Sequence, residues 1–132
     1  ASPTGQWPEA IHPRTGGGCM GDGHHVWAAA EWVLMLRNCF LREEGDGLVL
    51  GAGIPGRWLE AGEPVSFGPA PTAFGTLVLT LTPEGPGRVR LDLEAQWRGP
   101  APPVAVRLPG FPPQALPPEA TSLTLESTAT RP

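Results

Sequence analysis

The run from Val26 to Leu41 constrains this chain more than any other stretch of it. Reading Val-Trp-Ala-Ala-Ala-Glu-Trp-Val-Leu-Met-Leu-Arg-Asn-Cys-Phe-Leu, it is long enough for four helical turns and contains neither proline nor glycine. Glu31 and Asn38 stand seven apart and share one face, so the polar stripe is narrow. A helix on the surface of a globular protein keeps roughly half its circumference polar. A helix that is apolar almost all round has to be enclosed, because each large side chain left in water forgoes about 1.5–3 kcal/mol. The spacing predicts one helix over 24–44. Asp22 is placed to accept from its first free backbone N–H groups, and Gly45 to end it just past the C-cap. The other ~90 residues cover one side of such a helix at most. The expectation is therefore a piece of something longer, with further helices upstream supplying the rest. The start at Ala1-Ser2-Pro3, with neither an initiator Met nor a charged-then-apolar leader, agrees with that.

Downstream the period changes. Residues 45–74 hold a short apolar strand, Leu48-Val49-Leu50, and a turn-rich stretch with Trp58. From Gly75 onward Thr76–Leu81 and Arg88–Ala95 alternate with period two around Pro83-Glu84-Gly85-Pro86-Gly87, which predicts a β-hairpin with one wet face. Val104–Leu108 and Ser122–Leu125 are two further strand candidates. The 18 glycines and 18 prolines punctuate these runs and point to a loop-rich fold rather than disorder. A net charge of −4 leaves no basic stripe for nucleic acid. No stretch reaches the ~18–20 apolar residues needed to span a bilayer. Two cysteines, one in a Gly-rich loop and one in the helix, make no disulfide framework, so a reduced, cytoplasmic setting is expected.

The chemistry-bearing side chains crowd before the helix. Glu9, His12, Arg14, Asp22, His24 and His25, flanked by Trp7 and Trp27, put acid, base, cation and aromatic platform in one loop of residues 1–23. Loops held by a rigid element are where binding and catalysis concentrate. Gly16–Gly21 formally fits a dinucleotide-binding glycine pattern, but no apolar strand precedes it. A zinc site from His12, Cys19, His24 and His25 is conceivable, yet adjacent helical residues diverge by about 100° and no ligand spacing is recognisable. A Ser-His-Asp system lacks its elbow sequence. No metal or cofactor is expected. Glu9, beside Trp7-Pro8 and ahead of a glycine-rich turn, can be held at a cleft wall as a general base; most glutamates in such loops are simply solvated. Trp27 as core and Asp22 as a helix cap are the plainer readings of those two residues.

The order Pro8-Glu9, Pro13, Thr15-Gly16, then glycines and Gly23-His24-His25-Val26-Trp27-Ala28-Ala29-Ala30-Glu31 resembles the end of the catalytic domain in six-hairpin, (α/α)-barrel glycosidases: glucoamylases, trehalases and processing α-glucosidases. Gly53–Trp58 and Pro71–Gly75 are similar to sequences that close bacterial members of this group, so the resemblance covers about residues 6–82. It implies an α+β fragment, the last helix of an (α/α) toroid followed by an antiparallel β-rich tail. The parts would be 1–44 as the end of the barrel domain, 45–74 as a connection and 75–132 as a β domain. It further implies an inverting glycoside hydrolase acting on an oligo- or polysaccharide, with Glu9 as base and the general acid outside this chain. Trp7, His12, Arg14, Asp22, His24, His25 and Trp27 would then contact the sugar, and the remainder of the barrel would be the structural partner. Ile11 and the double histidine His24-His25 depart from the family pattern. Two alternatives stay open. One is a phosphorylase of the same barrel type, binding phosphate through Thr15-Gly16-Gly17-Gly18, Arg14 and His24. The other is a non-catalytic α+β accessory domain.

Overall fold

The computed structural model describes residues 5–20, 23–60 and 62–128. In chain order these form β1 (Ala10–Ile11), β2 (Gly18–Met20), α1 (Val26–Phe40), β3 (Leu41–Glu44), β4 (Gly47–Leu50), α2 (Gly56–Glu60), β5 (Val65–Thr72), β6 (Gly75–Pro83), β7 (Arg88–Trp97), β8 (Val104–Val106), β9 (Gln114–Leu116) and β10 (Ser122–Glu126). The strands make three sheets, ordered β1-β2, β10-β7-β6-β5 and β3-β4-β8-β9. Two compact units divide the chain between Arg37 and Asn38.

This architecture corrects the expected fold class. The described chain is mostly β, with helices of 15 and 5 residues, and not the last helix of an (α/α) toroid with a tail. Nor is its β part purely antiparallel, because β4 and β8 pair in parallel, Leu48 opposite Val104 and Leu50 opposite Val106. The expected helix over 24–44 is shorter at both ends. His25 holds the N-cap position, since its carbonyl accepts the first helical bond from the Ala29 N–H at 3.1 Å. Asp22 itself lies outside the described residues. At the other end the carbonyls of Cys39 and Phe40 accept from the N–H groups of Gly53 (3.1 Å) and Gly51 (2.8 Å). They are thus satisfied by the loop after β4 rather than by a further helical turn. Gly53 suits that approach, because a Cβ there would lie 2.8 Å from Cys39 Cα.

Leu41 to Glu44 leave the helix directly as a strand and pair with β4, Leu41 opposite Leu50 and Glu44 opposite Gly47. Gly45, expected to cap a helix, instead opens the hairpin turn with φ of +61°. Positive φ at the first central position, followed by an ordinary Asp46, is what a type II′ turn requires.

In the unit 38–132, each large sheet buries one face. Leu77, Leu79 and Leu81 of β6 lie opposite Ala95, Leu93 and Leu91 of β7, and the five leucines among these residues are 4% exposed or less. The hairpin expected from alternation is therefore present. From the other sheet Leu41, Leu48, Leu50, Val104, Val106 and Leu116 are buried, and Ile54 and Leu59 add to this core. Phe40 stacks on Phe67 of β5, centroids 4.8 Å apart and planes 5° apart. β5 itself, in a stretch read from the sequence as turns, tolerates Pro69 and Pro71 because it is an edge strand with an irregular register between Phe67 and Ala70.

Candidate functional site

The first unit is a small hairpin folded against a helix. Two backbone bonds close its base, Trp7 N–H to the Gly23 carbonyl at 3.0 Å and His25 N–H to the Trp7 carbonyl at 3.1 Å. Glu9 N–H donates to the Met20 carbonyl at 2.9 Å, and His12 N–H to the Gly17 carbonyl at 2.8 Å. The backbone of the loop read as Gly/Pro-rich and irregular is thus ordered rung by rung. Its weak β-propensity and its proline-broken sequence hid the two short strands.

Four of the expected site residues gather at the base of this hairpin. Trp7 packs its ring on Trp32 of α1, centroids 4.9 Å apart and planes inclined by 39°. The pair binds the hairpin to the helix through apolar area and an aromatic contact worth about 0.5–1.5 kcal/mol beyond it. Two residues on, in the bend just before β1, Glu9 turns its carboxylate toward His25, with Oε2 3.9 Å from Nε2. The Glu9 side chain is 37% exposed and that of His25 is 27% exposed. His25 Nε2 is itself shielded and has no hydrogen-bond partner among the described residues. The edge of the His25 ring meets Trp27 at 6.0 Å and 62°. Trp27, for which core was the plainer reading, is 64% exposed. Its Nε1–H donates to Glu31 Oε1 at 3.4 Å, one helical turn on.

The other expected residues sit elsewhere. His24 is exposed and forms an isolated bridge with Trp7 through the backbone. His12 and Arg14 lie at the far end of the hairpin, where His12 organises the turn. The N–H groups of Arg14 and Thr15 both donate to His12 Nδ1 at 3.3 Å. The Gly16 N–H donates to the His12 carbonyl at 2.9 Å, and the Gly17 N–H to Thr15 Oγ1 at 3.3 Å. Four successive amides of the supposed phosphate loop therefore point inward at partners of their own. Among the described residues no three His, Cys, Asp or Glu side chains converge as metal ligands.

Sequence reasoning placed Trp32 in the core and so missed its part in the site. The i, i+4 spacing of Trp27 and Glu31 was a readable signal for their contact. A separate cleft of ≈ 680 Å³ opens in the second unit, walled by Leu59, Arg88, Val89, Pro109 and Phe111 among others; it holds none of the expected site residues. Compared with family models, with curated proteins and with solved structures, the chain matches none of them.

Proposed function

We infer that this chain contributes the general base and part of the sugar-contacting surface of an inverting glycoside hydrolase, whose general acid lies on a different segment of polypeptide. One observation carries the reading: an accessible carboxylate, Glu9, stands just before β1 in a segment pinned by backbone bonds at Trp7, Glu9 and His12, with an imidazole 3.9 Å away and the exposed indole of Trp27 beyond it. A base must be reachable by water and stationary relative to the sugar. The exposure of Glu9 supplies the first property, and the hairpin rungs fix its backbone toward the second. An exposed indole suits a sugar, whose C–H faces are apolar. In an inverting site the two carboxyl groups stand about 6.5–9.5 Å apart to admit the attacking water. In this unit Glu31 already accepts from Trp27, which makes it a poor acid partner.

The phosphorylase alternative loses support, because the amides of Arg14, Thr15, Gly16 and Gly17 have internal acceptors and an anion would have to displace them.

The test is Glu9→Gln in the full-length protein, with maltotriose and trehalose as probes and the anomer of the released glucose followed by NMR. Turnover is expected to fall roughly 10²–10⁴-fold, with substrate binding little changed. Near-normal turnover would reduce Glu9 to a solvated loop acid. Turnover that requires inorganic phosphate would replace hydrolysis by phosphorolysis.

A further inference from the structure

Among the described site residues, His25 is the one with a shielded polar side-chain atom, Nε2, that lacks a hydrogen-bond partner. A buried ring nitrogen left in that state is unfavourable, and native structures seldom keep one. The acceptor at hand is Glu9 Oε2 at 3.9 Å, about 1 Å beyond hydrogen-bonding distance. The two backbones are already in place. His25 is tied to Trp7 through its N–H and Glu9 to Met20 through its own, with only Pro8 between Trp7 and Glu9. Only the Glu9 side chain, the more exposed of the two, has to turn for the contact to close. The His25 ring is meanwhile kept from swinging by the Trp27 indole at its edge.

We propose that His25 is a positioning residue for Glu9: its Nε2–H takes one carboxylate oxygen as acceptor and leaves the other free to receive a proton from water. The proposal rests on the assignment of Glu9 as general base. A glutamate that is more than a third exposed samples several rotamers, and a base must be confined to one. A base oriented by a third group is the recurring solution at catalytic sites. Here the orienting group sits at the N-cap of α1, where the helix fixes its backbone. The tautomer is thereby specified as Nε2-protonated.

Two measurements test this. In the full-length protein labelled with 15N at histidine, the Nε2–H resonance of His25 is expected downfield in the wild type and shifted upfield in Glu9→Leu. His12 and His24 report that the fold is intact. Identical His25 resonances in the two proteins would overturn the proposal. In the full-length enzyme His25→Leu should lower kcat about tenfold to a hundredfold, the scale of a small misplacement of a catalytic group, with KM unchanged. His25→Gln, which keeps an N–H at a similar reach, should restore most of it. A kcat unaffected by His25→Leu would equally overturn the positioning role. The hydrolase reading fails separately, through an active Glu9→Gln enzyme, and that result leaves the imidazole resonances where the contact puts them.

Discussion

Thr72 shows how much one hydroxyl can organise. It is buried, and its Oγ1 donates to the Gly75 carbonyl at 2.8 Å while accepting from the N–H groups of Phe74 and Gly75 at 3.1 Å. The tight turn between β5 and β6 is therefore built around this side chain. Thr72→Val preserves shape but strands those backbone groups. It should cost about 1–3 kcal/mol in urea unfolding, while Thr72→Ser should lose much less. Gly75, in the same turn, has φ of +146°, and a Cβ there would run into the carbonyl oxygen of Gln96. Gly75→Ala is thus expected to be destabilising both through strain and through displacement of β7. In the core, Leu79→Ala removes a side chain with no solvent exposure and should cost about 2–5 kcal/mol by loss of transfer energy and formation of a cavity. Unfolding curves followed by tryptophan fluorescence measure all three.

Among the elements, the β6–β7 hairpin was legible because two runs alternate strictly and a Pro/Gly turn separates them. Strand β4 was legible as an apolar run, and β8 and β10 as short ones. What period two does not encode is partnership: nothing in Leu48-Val49-Leu50 specifies a parallel neighbour at Val104–Val106. β5 was obscured by its two prolines, which an edge strand accommodates. The helix was legible as a helix but not in extent, because its last turn was decided by the amide donors of Gly51 and Gly53 and by pairing with β4. The helix's apolar run also suggested a barrel, a conclusion about neighbours that one element cannot supply. In the site, Glu9 and His25 were recognisable as residue types. Their approach depends on the Trp7–His25 rung, which links residues far apart in pattern. The Trp7–Trp32 contact makes an element-scale prediction: Trp32→Ala should free the hairpin from α1 and speed proteolysis within residues 12–18. Hydrogen exchange should be slow through β6 and β7, whose core-facing leucines are buried.

For the whole molecule, the exposed side chains of α1 matter most. Val26 is 80% exposed, and Trp27, Val33, Leu34 and Met35 are each about half exposed or more. Contiguous apolar surface on this scale drives association. The isolated chain is expected to self-associate at micromolar concentration and to bind an apolar dye, and Leu34→Gln with Met35→Gln to weaken both effects. A monodisperse wild type without dye binding, by light scattering and fluorescence, would contradict this.

The strand order of the larger antiparallel sheet has a further consequence for synthesis. β7 is complete at Trp97, but its outer neighbour β10 arrives only with Ser122–Glu126. On the ribosome a three-stranded sheet can form early, and it then waits with β7 as an open edge while the chain grows through β8 and β9 into the other sheet. Unpaired edges invite foreign strands, and charge is the usual deterrent. The residues of β7 that face away from the core are Arg88, Arg90, Asp92 and Glu94, so the nascent edge carries alternating charged side chains during that interval. When β10 docks, Glu126 comes opposite Arg88 at 3.7 Å, and the same charge that repelled strangers marks the register for the strand that belongs there.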